Sequence, residues 1–200
     1  MTSPRAAEEW QRLSSATSLR DIVACVVTDF TPAPVHAVLR GTRAAPTVPA
    51  GWLVATPGDA VHQPVRAVVT GHRSRGGWQG CDTLAAFWFT GTPHADVGAA
   101  HSADTLRDLR ASAIITDQLE VPPASGLWAV RSSGYLTAAG VRMWAQFSTY
   151  VEGSDDHGRG RLVEHSLFVT TQRRTQLRAD LTELTDTVHA AFCASVTANH

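Results

Sequence analysis

The chain has 200 residues, 44% of them hydrophobic and 18% charged, which is long and apolar enough for one folded domain and excludes a wholly disordered protein. Its formal net charge of -1 provides no basic field to attract phosphates, so we expect no nucleic-acid partner. No apolar run approaches the ~18 residues that cross a bilayer, so no transmembrane segment is predicted.

The cysteines predict no covalent or metal framework. Cys25, Cys81 and Cys193 are widely spaced and form no Cys-x-x-Cys pair, so neither a disulfide scaffold nor a zinc knuckle is indicated. Cys25 ends an Ile-Val-Ala-Cys sequence with the residue types of a bacterial lipoprotein box. Charged residues occupy the zone where a signal peptide needs an apolar run, so we expect a cytoplasmic protein unless a non-classical export route operates.

The N-terminal region predicts two helices. In residues 3–15, apolar side chains at helical spacing indicate a short amphipathic helix, which we assign to an N-terminal extension of residues 1–17. Ser18 can cap a second helix that ends before Pro32. The β-branched residues within 22–27 suit a strand equally well, so the residue pattern leaves both structures open.

The middle of the chain predicts strands separated by turns. Residues 51–55 and 65–70 are extended candidates between prolines, and Trp52 is expected in the core. Both faces of residues 84–90 are apolar, so this strand should be central in the sheet and covered on both sides. A cap and an apolar stripe predict a helix over residues 102–119.

The last third of the chain carries the strongest structural pattern. Residues 126–135, 141–151 and 161–170 predict three successive strands joined by turns, which is an antiparallel meander. The 3.6-residue apolar period over residues 177–196 predicts an amphipathic helix that packs on a sheet face. Since no repeat and no linker is present, residues 18–196 are predicted to form a single α/β domain.

Several short motifs resemble the actinobacterial LpqN/LpqT family. They are residues 28–36 leading into 46–52, the strand end at 87–91, and Gly134-Tyr135 before the meander. The resemblance implies an α+β fold: an α/β/α sandwich of the Mog1/PsbP-like type, whose central antiparallel sheet has helices on both faces and a C-terminal amphipathic helix. It also implies a helix after Ser18. For exported members it implies envelope-lipid binding and association with mycolate-lipid exporters, without enzymatic activity.

One face of the predicted strand 141–151 alternates polar and aromatic side chains, whereas the other is apolar and suits a core. The first face could line a groove in which an arginine meets an anionic head and the rings contact an apolar chain. The alternative is a sheet face that lies beneath a helix or partly in water. The candidate ligand-binding residues are Trp128, Tyr135, Arg142, Trp144 and Tyr150.

A glycine-rich segment, residues 71–80, is predicted to be a positively charged loop. Arg73, Arg75 and Trp78 are its candidate contacts for a partner or an anion, and the alternative is a solvated hairpin loop.

In the meander, His165 shares a face with apolar neighbours, and no partner for it can be named. It is therefore predicted to be a hydrogen-bonded core histidine.

No motif indicates catalysis. The sequence lacks Gly-x-Ser-x-Gly, a Walker loop, Gly-x-Gly-x-x-Gly and any metal-ligand spacing, so we predict no enzymatic activity, no metal and no cofactor. The predicted function is a non-enzymatic binding module that engages an apolar, lipid-like ligand or an envelope-related partner. The alternatives are a protein-interaction adaptor without a small-molecule ligand and a small enzyme with an unrecognised site.

Overall fold

The computed structural model describes residues 16–39, 47–55, 66–72, 77–154 and 159–198. The helix predicted over residues 3–15 lies outside these ranges, so it stays a prediction. The helices of the described residues are α1 (Leu19–Val26), α2 (Val35–Val38), α3 (Ala95–His101), α4 (Asp104–Asp108) and α5 (Arg178–Thr197). The strands are β1 (Thr28–Ala33), β2 (Leu53–Ala55), β3 (Arg66–His72), β4 (Trp78–Thr90), β5 (Ser112–Gln118), β6 (Leu127–Ala138), β7 (Val141–Glu152) and β8 (Gly160–Thr170).

All eight of these strands form one antiparallel sheet in the order β2-β3-β4-β8-β7-β6-β5, with β1 added beside β4. The 13-residue strand β4 organises the sheet. One edge of β4 pairs with β8, and the other edge pairs with β3 along its first half and with β1 along its second half. The α+β fold class with a central antiparallel sheet is therefore confirmed.

The predicted meander is present as β6, β7 and β8: β6 ends three residues later than predicted, and β7 and β8 are each one residue longer. Strands β6 and β7 are joined by the two residues Ala139 and Gly140, whose φ angles are 49° and 72°. Positive φ at both loop positions is typical of the type I′ turn, whose twist matches that of the flanking strands. This tight turn fixes the register, so that Tyr135 faces Trp144 across the two strands.

Helices cover both faces of the sheet, as predicted. On one face α5 packs Val188 and Phe192 against the β4 residues Leu84 and Ala86. On the opposite face α1 and α3 pack against β4, β7 and β8, with Val23 in the core they share. The interior position of β4 and its coverage on both sides follow from the continuous apolar run of residues 84–89 in its second half.

Helix α1 resolves the choice between helix and strand after Ser18. The Ser18 hydroxyl accepts a hydrogen bond from the Asp21 amide at 3.1 Å, and the Asp21 carboxylate accepts one from the Ser18 amide at 3.3 Å. This reciprocal capping box satisfies two of the free amides that open a helix.

The strand that follows, β1, was not predicted because it contains Pro32. Proline is tolerated there because β1 pairs with β4 alone.

The helix predicted over residues 102–119 is wrong in its second half. Helix α4 ends at Asp108, and Ser112–Gln118 is the edge strand β5, paired with β6. Arg110 and Ala113 adopt left-handed φ angles of 54° and 51°, which end the helix. The β-branched residues of β5 then favour the extended chain, and pairing with β6 outweighs the helical spacing of the apolar residues.

Candidate functional site

The polar face of β7 lies beneath helix α5. Because side chains alternate along a strand, Trp144, Gln146, Ser148 and Tyr150 all point to the face that α5 covers. At the Tyr150 end the coverage is complete, which is the alternative foreseen for this face. At the Trp144 end the sheet and the helix separate and leave a cleft.

This helix–sheet cleft has a volume of about 450 Å³. Strands β6 and β7 form one wall, the first three turns of α5 form the other, and the segment before α5 closes one end. A volume of this size is within the range of small-molecule sites. The lining residues are Arg131, Trp144, Gln146, Arg174, Thr175, Arg178, Leu181, Thr182, Thr185 and Asp186.

Arginines and aromatic rings stack at the entrance of the cleft. The Arg174 guanidinium lies 4.7 Å from the centroid of the Trp144 ring and 5.3 Å from that of Tyr135, whose hydroxyl accepts a hydrogen bond from it. The Arg142 guanidinium also lies over the Tyr135 ring, 5.7 Å from its centroid, and it donates a hydrogen bond to the Ser112 hydroxyl at 2.7 Å. These cation–π contacts hold the Arg174 charge at the cleft.

Arg131 reaches the cleft from β6, deep beneath α5. Its Nε donates to the Ser148 hydroxyl at 3.2 Å, and its charge lies close to Tyr150. Burial raises the pKa of Tyr150, and the Arg131 charge opposes that rise without cancelling it. Nearby, the Gln146 amide donates to the Thr185 hydroxyl at 3.1 Å and ties β7 to the helix.

The cleft is electropositive. Three guanidinium groups, those of Arg131, Arg174 and Arg178, line it together with the single carboxylate of Asp186. Among the described residues, none of these three arginines has a carboxylate within 4 Å. The buried Arg161, by comparison, pairs with Glu152. The three guanidinium groups are therefore not in direct ion pairs with acidic side chains of the described residues, and the charged groups that line the cleft sum to a net positive charge.

The structure brings three of the five candidate ligand-binding residues together, since Tyr135 lies between Arg142 and Trp144, and of these three Trp144 lines the cleft. Trp128 lies on the opposite face of the sheet, where its indole N–H donates to the Pro93 carbonyl at 2.9 Å. The expectation that Trp128 lies near the other four is therefore wrong. Even-numbered residues of β6 point away from α5, because each pairs with an odd-numbered residue of β7.

Tyr150 shares the sheet face of the cleft but is fully buried under α5, with its ring centroid 5.1 Å from that of Phe192.

In the predicted charged loop, strand β3 continues to His72 and β4 begins at Trp78, so the connection is shorter than predicted. Trp78 is 41% exposed. Arg73 and Arg75 lie outside the described residues.

Two features of this face were not predicted from the sequence. The first is the partner of His165: its Nε2 bonds to the buried carboxylate of Asp82, which also pairs with Arg66 at 2.7 Å. Asp82 belongs to the neighbouring strand β4, so only the strand register brings the two side chains together. The second is the set of cleft arginines. The only local signal for Arg174 is that it follows Arg173 directly before α5.

The described ranges contain no cluster of three or more His, Cys, Asp or Glu side chains that could hold a metal ion. Within the same residues, every helix is too short or too polar to cross a membrane.

Comparison with solved structures finds a shared fold. A crystal structure of LpqN, described as involved in cell envelope biogenesis of Mycobacterium tuberculosis, matches with a TM-score of 0.54 over 85% of this chain and 95% of that chain. The two sequences are 14% identical, so the likeness is one of fold. No family model matches the chain, and no curated protein matches its sequence. The fold implied by the resemblance in the sequence is thus confirmed by an independent structural match.

Proposed function

We propose that the protein is a non-enzymatic binding module that holds an amphiphilic, lipid-like ligand in the helix–sheet cleft. The observation that carries the proposal is the composition of that cleft: an aromatic and aliphatic surface, from Trp144 and Leu181, lies beside three guanidinium groups. Sites of this kind bind a ligand through apolar contact and orient it through a few polar groups.

The apolar part of the ligand would contact Trp144 and Leu181, and its anionic head would face the arginines. Trp144 lines the cleft with 9% of its surface exposed, and Arg174 lies over its ring. This chain shares the fold of LpqN, a protein described as involved in cell envelope biogenesis, and a role related to the cell envelope is compatible with the proposal.

Native mass spectrometry of protein isolated from an actinobacterial host, before and after organic extraction, tests this proposal. We expect a discrete adduct near one-to-one ratio that extraction removes and that Trp144→Ala reduces, because the ring supplies apolar contact area. Trp78→Ala is the matched control, since that tryptophan lies outside the cleft. Thermal unfolding verifies that both variants fold. A clean apo mass after incubation with fresh lysate would contradict the proposal.

A protein-interaction adaptor without a small-molecule ligand is the second candidate. Strand β5 lies at the end of the sheet, and most of its residues are exposed, including Ile115. The outer backbone groups of an edge strand can pair with a strand from a partner. An apo mass combined with a defined protein complex would favour this function over ligand binding.

A further inference from the structure

We propose that the head group recognised in the cleft is a phosphate. The inference rests on the proposed function, because it assigns the chemistry of the same site. Phosphate is the anion whose charge and oxygen geometry match the three guanidinium groups and the helix end that meet there.

Charge is the first argument. Arg131, Arg174 and Arg178 contribute three positive charges to the lining and Asp186 contributes one negative charge, which leaves an excess of two. A phosphate monoester carries about -1.5 to -2 charges at pH 7. A carboxylate carries one and would leave the cleft with uncompensated positive charge. The balance therefore favours a phosphate monoester over a fatty-acid head group.

Geometry is the second argument. Guanidinium groups present forked N–H donors that suit the oxygens of phosphate, and they bind it in a bidentate manner. Arg174 is held in place by the Trp144 and Tyr135 rings, and Arg131 is held by its hydrogen bond to Ser148. Two of the three cations are thus positioned before any ligand arrives, which reduces the entropy lost on binding.

The start of α5 is the third argument. No side chain caps this 20-residue helix, and Thr175 and Arg178 at its amino end line the cleft. Amides in the first turn of a helix carry partial positive charge and favour anions. Asp180, the acidic residue of this turn, accepts a hydrogen bond from the Trp52 indole at 2.9 Å. Asp180 is absent from the cleft lining and forms no ion pair with the cleft arginines within the described residues.

The cationic side chains of the described residues divide into two groups. Arg20, Arg66, Arg107 and Arg161 each form an ion pair with an acidic side chain. The three cleft arginines form none within the described residues, and neither do Arg110, Arg142, Arg159 and Arg173. Three of the seven described arginines that lack an ion pair therefore line one cavity, where a single anion would have access to all three guanidinium groups.

Isothermal titration calorimetry with four probes tests the inference. The probes are a monoacyl glycerol phosphate, the fatty acid and the monoacylglycerol of the same chain length, and inorganic phosphate alone. We expect the monoacyl glycerol phosphate to bind about 10-fold or more tightly than the fatty acid, since hydrogen bonds to charged groups contribute about 1.5–3 kcal/mol and 1.4 kcal/mol is tenfold.

Exposed arginines provide variants that do not disturb the core. Arg174→Gln and Arg178→Gln should each weaken binding of the monoacyl glycerol phosphate by about 10-fold while leaving the monoacylglycerol unaffected. Arg173→Gln is the matched control: it removes the same charge from the same segment, but Arg173 bonds to Gln176 and does not line the cleft. Its affinity should stay within about twofold of the wild type, as expected for a screened surface charge.

The outcomes separate this inference from the proposed function. Competition by inorganic phosphate against the monoacyl glycerol phosphate supports phosphate recognition within a lipid site. Equal affinity for inorganic phosphate alone supports phosphate recognition but contradicts a lipid-like ligand. Equal affinity for all three acyl probes, unchanged in both arginine variants and lost in Trp144→Ala, overturns the phosphate and leaves the binding module intact. Absence of binding by every probe overturns the phosphate inference, and a clean apo mass in the native spectra then overturns the binding module as well.

Discussion

Replacement of Asp82 by asparagine should destabilise the protein strongly. The Asp82 carboxylate accepts from His165 and from the Arg66 guanidinium, and the exposed fractions of these three side chains are 0%, 0% and 15%. Because the Asp82 and His165 side chains have no exposed surface, water cannot replace the acceptor that His165 loses. Asparagine keeps the size of the side chain but removes the negative charge that compensates the arginine.

Asp104 provides a matched control, because it bonds to the same two residue types at the surface. It pairs with His101 at 2.7 Å and Arg107 at 2.6 Å, with side-chain exposures of 28%, 44% and 61%. Breaking a buried pair on one side costs about 3–5 kcal/mol. An exposed pair contributes about 0–1 kcal/mol, because water and salt screen it. The two carboxylates differ in burial, so the difference between the two losses of stability measures the effect of burial on such a pair.

Differential scanning calorimetry of Asp82→Asn and Asp104→Asn at pH 7 measures this difference. For a chain of this length, 1 kcal/mol corresponds to about 2–4 °C in Tm. We expect Tm to fall by about 6–20 °C for Asp82→Asn and by at most about 4 °C for Asp104→Asn. Equal shifts in the two variants would refute the reasoning, since they would mean that burial does not control the strength of these pairs.

Two further predictions concern titratable side chains. Burial, the largest cause, raises the pKa of Glu164 above its ordinary value of 4.5, so the stability of the folded state falls as pH rises through the shifted pKa. Glu164→Gln should therefore raise Tm at pH 7 and give no gain at pH 4; an equal gain at both would contradict the shift. Burial and the Asp82 charge raise the pKa of the Cys81 thiol to about 11, and burial also raises the pKa of Cys193, whereas Cys25 is exposed. At pH 8 a thiol-specific chromophoric disulfide should show one fast-reacting thiol, and Cys25→Ser should abolish that phase.

The sequence by itself determined most of the secondary structure in the last third of the chain. Strands β6, β7 and β8 are long extended segments between clear turns, β7 has one apolar face, and α5 keeps its apolar period for nearly its whole length. Such long periodic segments specify their own structure, because one register alone buries their apolar faces. Ser18 indicated a possible helix start, since its cap is formed by residues three positions apart, but the β-branched residues that follow it left a strand equally open.

Only the tertiary structure decided β5 and the two polar sites. The residues of β5 have a helical spacing of apolar side chains, and the free edge of β6 selects the strand instead. Asp82 and His165 are 83 residues apart and meet only through the pairing of β4 with β8. The cleft arginines come from β6, from the segment before α5 and from α5 itself. Local sequence patterns determine which structure each segment forms, but contacts between distant segments depend on the pairing order of the strands.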